Sequence, residues 1–236
     1  MKIKGSGKYI DATGKNNKIL GVGEIADDEK LQTLNVSGNL SFKKISCGTI
    51  DVAGKCTGDS IVAQSLNVSG KLLFEEIFCD RITIAGKCTG DSLTAKNFSA
   101  DGKIEIDSLK VEQSFELKGK PKINFVDADE IFIATRNGFL GEVKCRKIKI
   151  SNDANIFAGE DFAKIFSERF NFDKSNSRIC IKTIDAETVD LENCEVDVIK
   201  CKDAFIGKNC AIEKLFVAGE CKVAVDSKVG ETIYTK

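Results

Sequence analysis

The chain has 236 residues, with 35 Lys+Arg against 36 Asp+Glu and no His. That length suits one large domain or two small ones, and the balanced charge, without a basic block or interleaved aromatic and basic residues, gives nucleic-acid binding no electrostatic support. No apolar run nears the roughly 18 residues of a membrane span, and MKIKGSGKYIDATGK at the N-terminus lacks the apolar centre of a signal peptide, so a cytoplasmic protein is expected.

Residues 1–33 read as a degenerate start, with Ile3, Tyr9 and Ile10, then Leu20, Val22 and Ile25, as inward candidates. GSGK at Gly5–Lys8 lacks the full frame of a phosphate-binding loop and reads as a corner. From Leu34 the chain becomes repetitive. Residues 34–65 and 66–97 share nineteen of thirty-two aligned positions, and each half divides again, because LNVSG at Leu34 returns as IDVAG at Ile50, LNVSG at Leu66 and ITIAG at Ile82.

A unit of 16 residues is too short for a helix pair or a propeller blade and fits one coil of a β-solenoid. Small or apolar residues fall at positions 1, 3, 7, 9, 12 and 14 of the unit, as pairs spaced by two. Such pairs are short strands pointing inward, and the odd steps between them are corners, which predicts three strands per coil. Position 5 is Gly38, Gly54, Gly70, Gly86, Gly102 and Gly119, as expected where a corner needs positive φ, and Thr135 breaks that series. Positions 7 and 9 alternate Leu40 and Phe42 with Cys56 and Gly58, then Leu72 and Phe74 with Cys88 and Gly90. Large and small side chains stacked alternately fill a narrow core densely. Coils are expected to start near Leu34, Ile50, Leu66, Ile82, Phe98, Phe115, Ile131 and Ile148, with local distortion at Pro121, the chain's single proline.

At Ser151 the pattern stops, and AGEDFAKIFSERF over Ala158–Phe170 takes helical spacing. Phe162, Ile165, Phe166 and Phe170 line one face, which would pack on the solenoid or dock a partner. From Arg178 the strand pattern returns for about three more coils, with LFVAGEC at Leu215–Cys221 close to ITIAGKC at Ile82–Cys88. The expected architecture is all-β, a parallel β-solenoid (β-helix) over 1–157 and 177–236, with one short α-helical insertion over 158–176.

No catalytic, cofactor or metal residue emerges. The ten cysteines show no C-x-x-C spacing. Cys47 and Cys79, like Cys56 and Cys88, lie two coils apart, roughly 9–10 Å, beyond disulfide reach. They read as small buried hydrophobes, with a redox role left open for Cys194, Cys201, Cys210 and Cys221. Asp59 and Asp91 recur with TGDS and read as corner residues rather than a catalytic dyad. Absence of His excludes the histidine-based acyl transfer of hexapeptide solenoids.

The units IDVAGKCTGDSIVAQS and ITIAGKCTGDSLTAKN resemble those of the bactofilins, bacterial polymer-forming cytoskeletal proteins, over roughly 3–150 and 183–230. The resemblance implies a right-handed, three-sided β-helix that polymerises end to end without a nucleotide. Independently, a terminal coil exposes unpaired backbone groups and an apolar cross-section, a template for strand addition. The expected polymer surfaces are Ile3, Tyr9 and Ile10 at one end and Val223, Val225, Val229, Ile233 and Tyr234 at the other. Corner lysines such as Lys55 and Lys87 would face outward toward lateral partners. The leading expectation is therefore a non-enzymatic cytoplasmic scaffold whose partner is itself, with cytoskeletal or envelope-associated proteins as further partners. Two alternatives stay open: a binding module capped by the helical insertion, and a carbohydrate-active β-helix enzyme.

Overall fold

The computed structural model describes residues 3–4, 7–10, 16–25, 29–152 and 178–235, with side chains described over 18–25, 31–152 and 178–235. They form ten strands in one sheet: β1 (Ile3–Lys4), β2 (Gly7–Ile10), β3 (Asn16–Ile25), β4 (Glu29–Ala134), β5 (Gly138–Ser151), β6 (Ile179–Leu191), β7 (Cys194–Ile206), β8 (Ala211–Val217), β9 (Cys221–Val223) and β10 (Lys228–Tyr234). The chain divides into two compact units, Met1–Glu112 and Gln113–Lys236. The division falls inside the coil begun at Phe98, which takes 17 residues, reaching Phe115.

In the first unit the six expected inward positions are the core. Leu34, Val36, Leu40, Phe42, Ile45 and Cys47 are each at most 6% exposed, and Ile50, Val52, Cys56 and Ile61 repeat them one coil on at no more than 3%. Each fully buried Leu or Ile contributes about 1.5–3 kcal/mol of transfer free energy. The alternation of large and small residues is a steric fit, because a Cβ on Gly58 would run into the Phe42 ring and one on Gly90 into the Phe74 ring.

The corners do not interrupt β4, and the separate short strands expected within each coil are joined. One corner of each coil turns around a glycine, and the hydrogen-bond ladder runs through it. Gly38, Gly54, Gly70, Gly86, Gly102 and Gly119 have φ between 130° and 138°. At Gly70 an added Cβ would also strike the carbonyl oxygen of Gly54 one coil below. Glycine is required there for both its φ and its bare Cα.

In the second unit β4 to β8 stack in parallel, with Ile123 on Leu140, Leu140 on Ile181, Ile181 on Val196 and Val196 on Ile212. Thr135, which breaks the glycine series, sits where the chain leaves strand geometry between β4 and β5. Its Oγ1 donates to Asn137 O at 2.8 Å. Pro121 is buried within β4, and the residue above it is Gly138, whose bare Cα leaves room for the ring. In the last coils Asn193 and Asn209 take over the positive-φ corners, at 56° and 57°, conformations Asn tolerates better than most residues.

The expected helix at Ala158–Phe170, with Phe162, Ile165, Phe166 and Phe170, lies outside the described residues. The strands before and after it pair directly, Gly138 with Ile179 and Ile150 with Leu191, in parallel register. The stretch is thus spliced between two directly stacked coils.

Candidate functional site: the terminal coils

The last coil carries β9 and β10. Ile206, Ile212, Leu215 and Val217 present the core columns below it, each at most 3% exposed. Val229 stacks on Ile212, Thr232 on Leu215, Tyr234 on Val217, and Val223 on Ile206. These four therefore occupy core columns, yet Val223 is 43% and Tyr234 70% exposed because nothing among the described residues covers them. Ile233 stacks on Phe216, an outward column, so it lies on the side of the coil rather than over its core. Val225 stands at the apex of a turn closed by Ser227 N–H donating to Ala224 O at 3.0 Å, and it is wholly exposed. β9 pairs only β7 and β10 pairs only β8, so their other edges carry no partner strand among the described residues.

The first coil is built differently. β3 pairs in parallel with β4 on one side, while on the other β2 lies antiparallel across Lys18–Gly21 and β1 across Glu24–Ile25. Register sets Tyr9 opposite Ile19 and Ile3 opposite Ile25, both core positions, and Ile10 opposite the outward Lys18. Ile19 is 0% and Ile25 2% exposed. The expected end residues thus divide: Ile3 and Tyr9 sit on strands laid over the first coil's core columns, whereas Val223, Val229 and Tyr234 crown an open one.

The side faces carry less free apolar surface. In the second unit Lys144, Lys147, Lys182 and Lys222 lie 5.5–6.0 Å over the rings of Phe125, Phe132, Phe139 and Phe205, a favourable placement of cation on aromatic face. One outward column there alternates Asp127, Lys144, Asp185 and Lys200 on successive coils. In the first unit Lys55 and Lys87 face outward as expected, and Lys87 pairs with Glu105 at 3.0 Å. Lys103 lies 2.6 Å from the same carboxylate, and the two ammonium groups hold it down at about 2. Val62 and Phe78 form a small exposed pair beside the Asp80–Lys96 ion pair of 2.9 Å. A shallow groove of about 390 Å³ follows the Asn35, Asp51 and Asn67 column, within which Asn67 Nδ2 donates to Asp51 Oδ1 at 2.8 Å.

All ten cysteines are free. Cys145 and Cys221 are half-buried and Cys180 is exposed, departing from the expectation that all are buried, because Cys180 takes an outward position beside Phe139. Burial pushes Cys47 and Cys79 up to about 11 and Cys56 up to about 12, as for thiols held among apolar groups. Cys194 and Cys210 are different, since they occupy the same column on successive coils. The sequence interval between them equals one coil, the signal by which they could have been paired from sequence.

Among the described residues no cluster of three or more His, Cys, Asp or Glu could hold a metal ion, and no helix is long and apolar enough to cross a membrane. Asp59 and Asp91 are exposed corner residues. Comparison with family models, curated proteins and solved structures finds no match for the chain. What the fold and its surfaces define is a class, the parallel β-solenoids.

Proposed function

We propose that the chain is a non-enzymatic structural protein that self-associates by strand addition at its terminal coils, a cytoplasmic scaffold of the bactofilin kind with right-handed coils. The carrying observation is the C-terminal coil, where Val223, Val225 and Tyr234 are 43%, 105% and 70% exposed and two strand edges lack partners among the described residues. A strand from a second copy would satisfy the free N–H and C=O groups of β10 and remove the apolar crown from water, at roughly 25 cal/mol per Å². The Lys-covered aromatics and alternating charges of the second unit's sides support association at coil ends over apolar side-to-side packing, and leave those sides to polar partners such as cytoskeletal or envelope-associated proteins.

Negative-stain electron microscopy and light scattering across concentration and salt test the reading. Filaments or ribbons are expected from the native chain and discrete particles from Val225→Lys. Assembly that survives this change unaltered would remove the C-terminal coil from the model. One observation favours a second reading, a binding module that does not polymerise: the antiparallel β1 and β2 laid against the first coil. Discrete particles from the native chain under every condition would select it.

A further inference from the structure

We propose that Cys194 and Cys210 form a thiol–disulfide site that reacts with low-molecular-weight disulfides such as glutathione disulfide and cross-links two neighbouring coils. This rests on the thiol geometry and stands apart from the self-association reading.

The two residues are held side by side from both flanks. On one side Glu195 pairs with Ala211 in the β7–β8 ladder. On the other, Asn209 Nδ2 donates to Asn193 Oδ1 at 2.9 Å, and Asn193 N–H donates to Lys208 O at 2.9 Å. Stacked strands lie about 4.8 Å apart, inside the 4.4–6.8 Å Cα range of disulfides. Both side chains point inward, with Cys194 0% and Cys210 1% exposed, and each thiol lies against a backbone carbonyl, Cys194 donating to Glu192 O at 3.2 Å and Cys210 to Leu191 O at 3.4 Å. Other inward cysteines lack this arrangement: Cys201 stacks on Ala186 and Val217, and Cys221 on Ala204.

The environment also divides the roles. The neighbouring Cys194 thiol and the nearby backbone N–H groups bring the Cys210 thiol down to about 7, while burial pushes Cys194 well up. Cys210 is thus the attacking sulfur. Its thiolate attacks one sulfur of glutathione disulfide, forming a mixed disulfide and releasing one glutathione thiolate. The Cys194 sulfur then attacks the Cys210 sulfur and expels the second glutathione, which takes the Cys194 proton. Two protein thiols are oxidised and one glutathione disulfide is reduced to two glutathiones. Access comes through the last coil. Ser227 covers Cys210, accepting from Cys210 N at 2.8 Å and donating to Gly207 O at 2.6 Å. The residues beyond it form the least buried part of the described chain, so local opening there uncovers Cys210.

The experiment incubates the reduced 236-residue chain with glutathione disulfide and glutathione at a series of ratios, traps free thiols with iodoacetamide, and maps peptides without reduction. The expected product has lost two hydrogens and carries a Cys194–Cys210 link. Cys194→Ser should stop at a glutathione adduct on Cys210, and Cys210→Ser should leave Cys194 unmodified. Exposed Cys180 serves as an internal control for reagent activity. A glutathione adduct on Cys180 with no Cys194–Cys210 link at any ratio overturns the proposal. So does a link formed only in urea, or one made instead to Cys201 or Cys221. Should either variant fail to fold by circular dichroism, the peptide map of the native chain decides alone.

Discussion

The first and last coils face the same physical problem, a strand edge above an apolar core, and meet it in opposite ways. At the first coil β1 and β2 turn antiparallel onto β3, and the core residues Ile19 and Ile25 are buried. At the last coil β10 continues the parallel stack, and Val223, in the column of buried Ile206, is 43% exposed. The comparison teaches that an inward register position makes a core residue only when another layer lies over it. Where none does among the described residues, the same position stays exposed.

The largest effect should come from neither end. Gly70→Ala combines a φ of 132° with a Cβ driven into Gly54 O, and more than about 3 kcal/mol of destabilisation is expected by urea unfolding. A change below 1 kcal/mol would mean that the corners tolerate ordinary residues, and the stacked-glycine account would fall. Next, Ile19→Ala should cost about 2–5 kcal/mol, as for a buried large-to-small change. Val223→Ala, at the open end, should cost less than about 1 kcal/mol. Equal costs would erase the contrast between a covered and an uncovered coil.

Val225→Lys should leave protomer stability within about 0.5 kcal/mol, because the side chain is wholly exposed, yet reduce the assembled fraction seen by light scattering. The smallest effect concerns Glu105, which is held at about 2 by Lys103 and Lys87 against an ordinary 4.5. A depressed carboxyl stabilises the folded chain above its unfolded value and loses that contribution as pH falls through the window from 4.5 to 2. Glu105→Gln should therefore be less stable than the native chain by under about 1 kcal/mol at neutral pH, and the gap should close on acidification. A gap that persists at pH near 2 would assign the loss to packing instead.

Much of this was legible in the sequence because a solenoid repeats its physics. Inward positions recur every 15 to 17 residues, so Leu34, Ile50, Leu66 and Ile82 identify one core column without coordinates. The glycine corners and the Phe42–Gly58 and Phe74–Gly90 pairs were legible for the same reason: each coil is packed against a near copy of itself, so its pattern reports its neighbour. The irregular parts carried no such copy. Nothing in GKYI announces that β2 runs antiparallel, since an alternating strand fits either direction until a partner is chosen. Ile233 looked like an end-facing residue, but register over Phe216 turns it sideways, because one step along a strand reverses the face.

Composition and periodicity by themselves determined the coil, its three-sided inward pattern and its glycine corners, because short-range sterics and burial repeat with the sequence. Tertiary structure alone decided which ends are covered and which apolar side chains stay in water. These depend on what stacks over a residue, and the chain's local pattern is the same whether that layer is present or not.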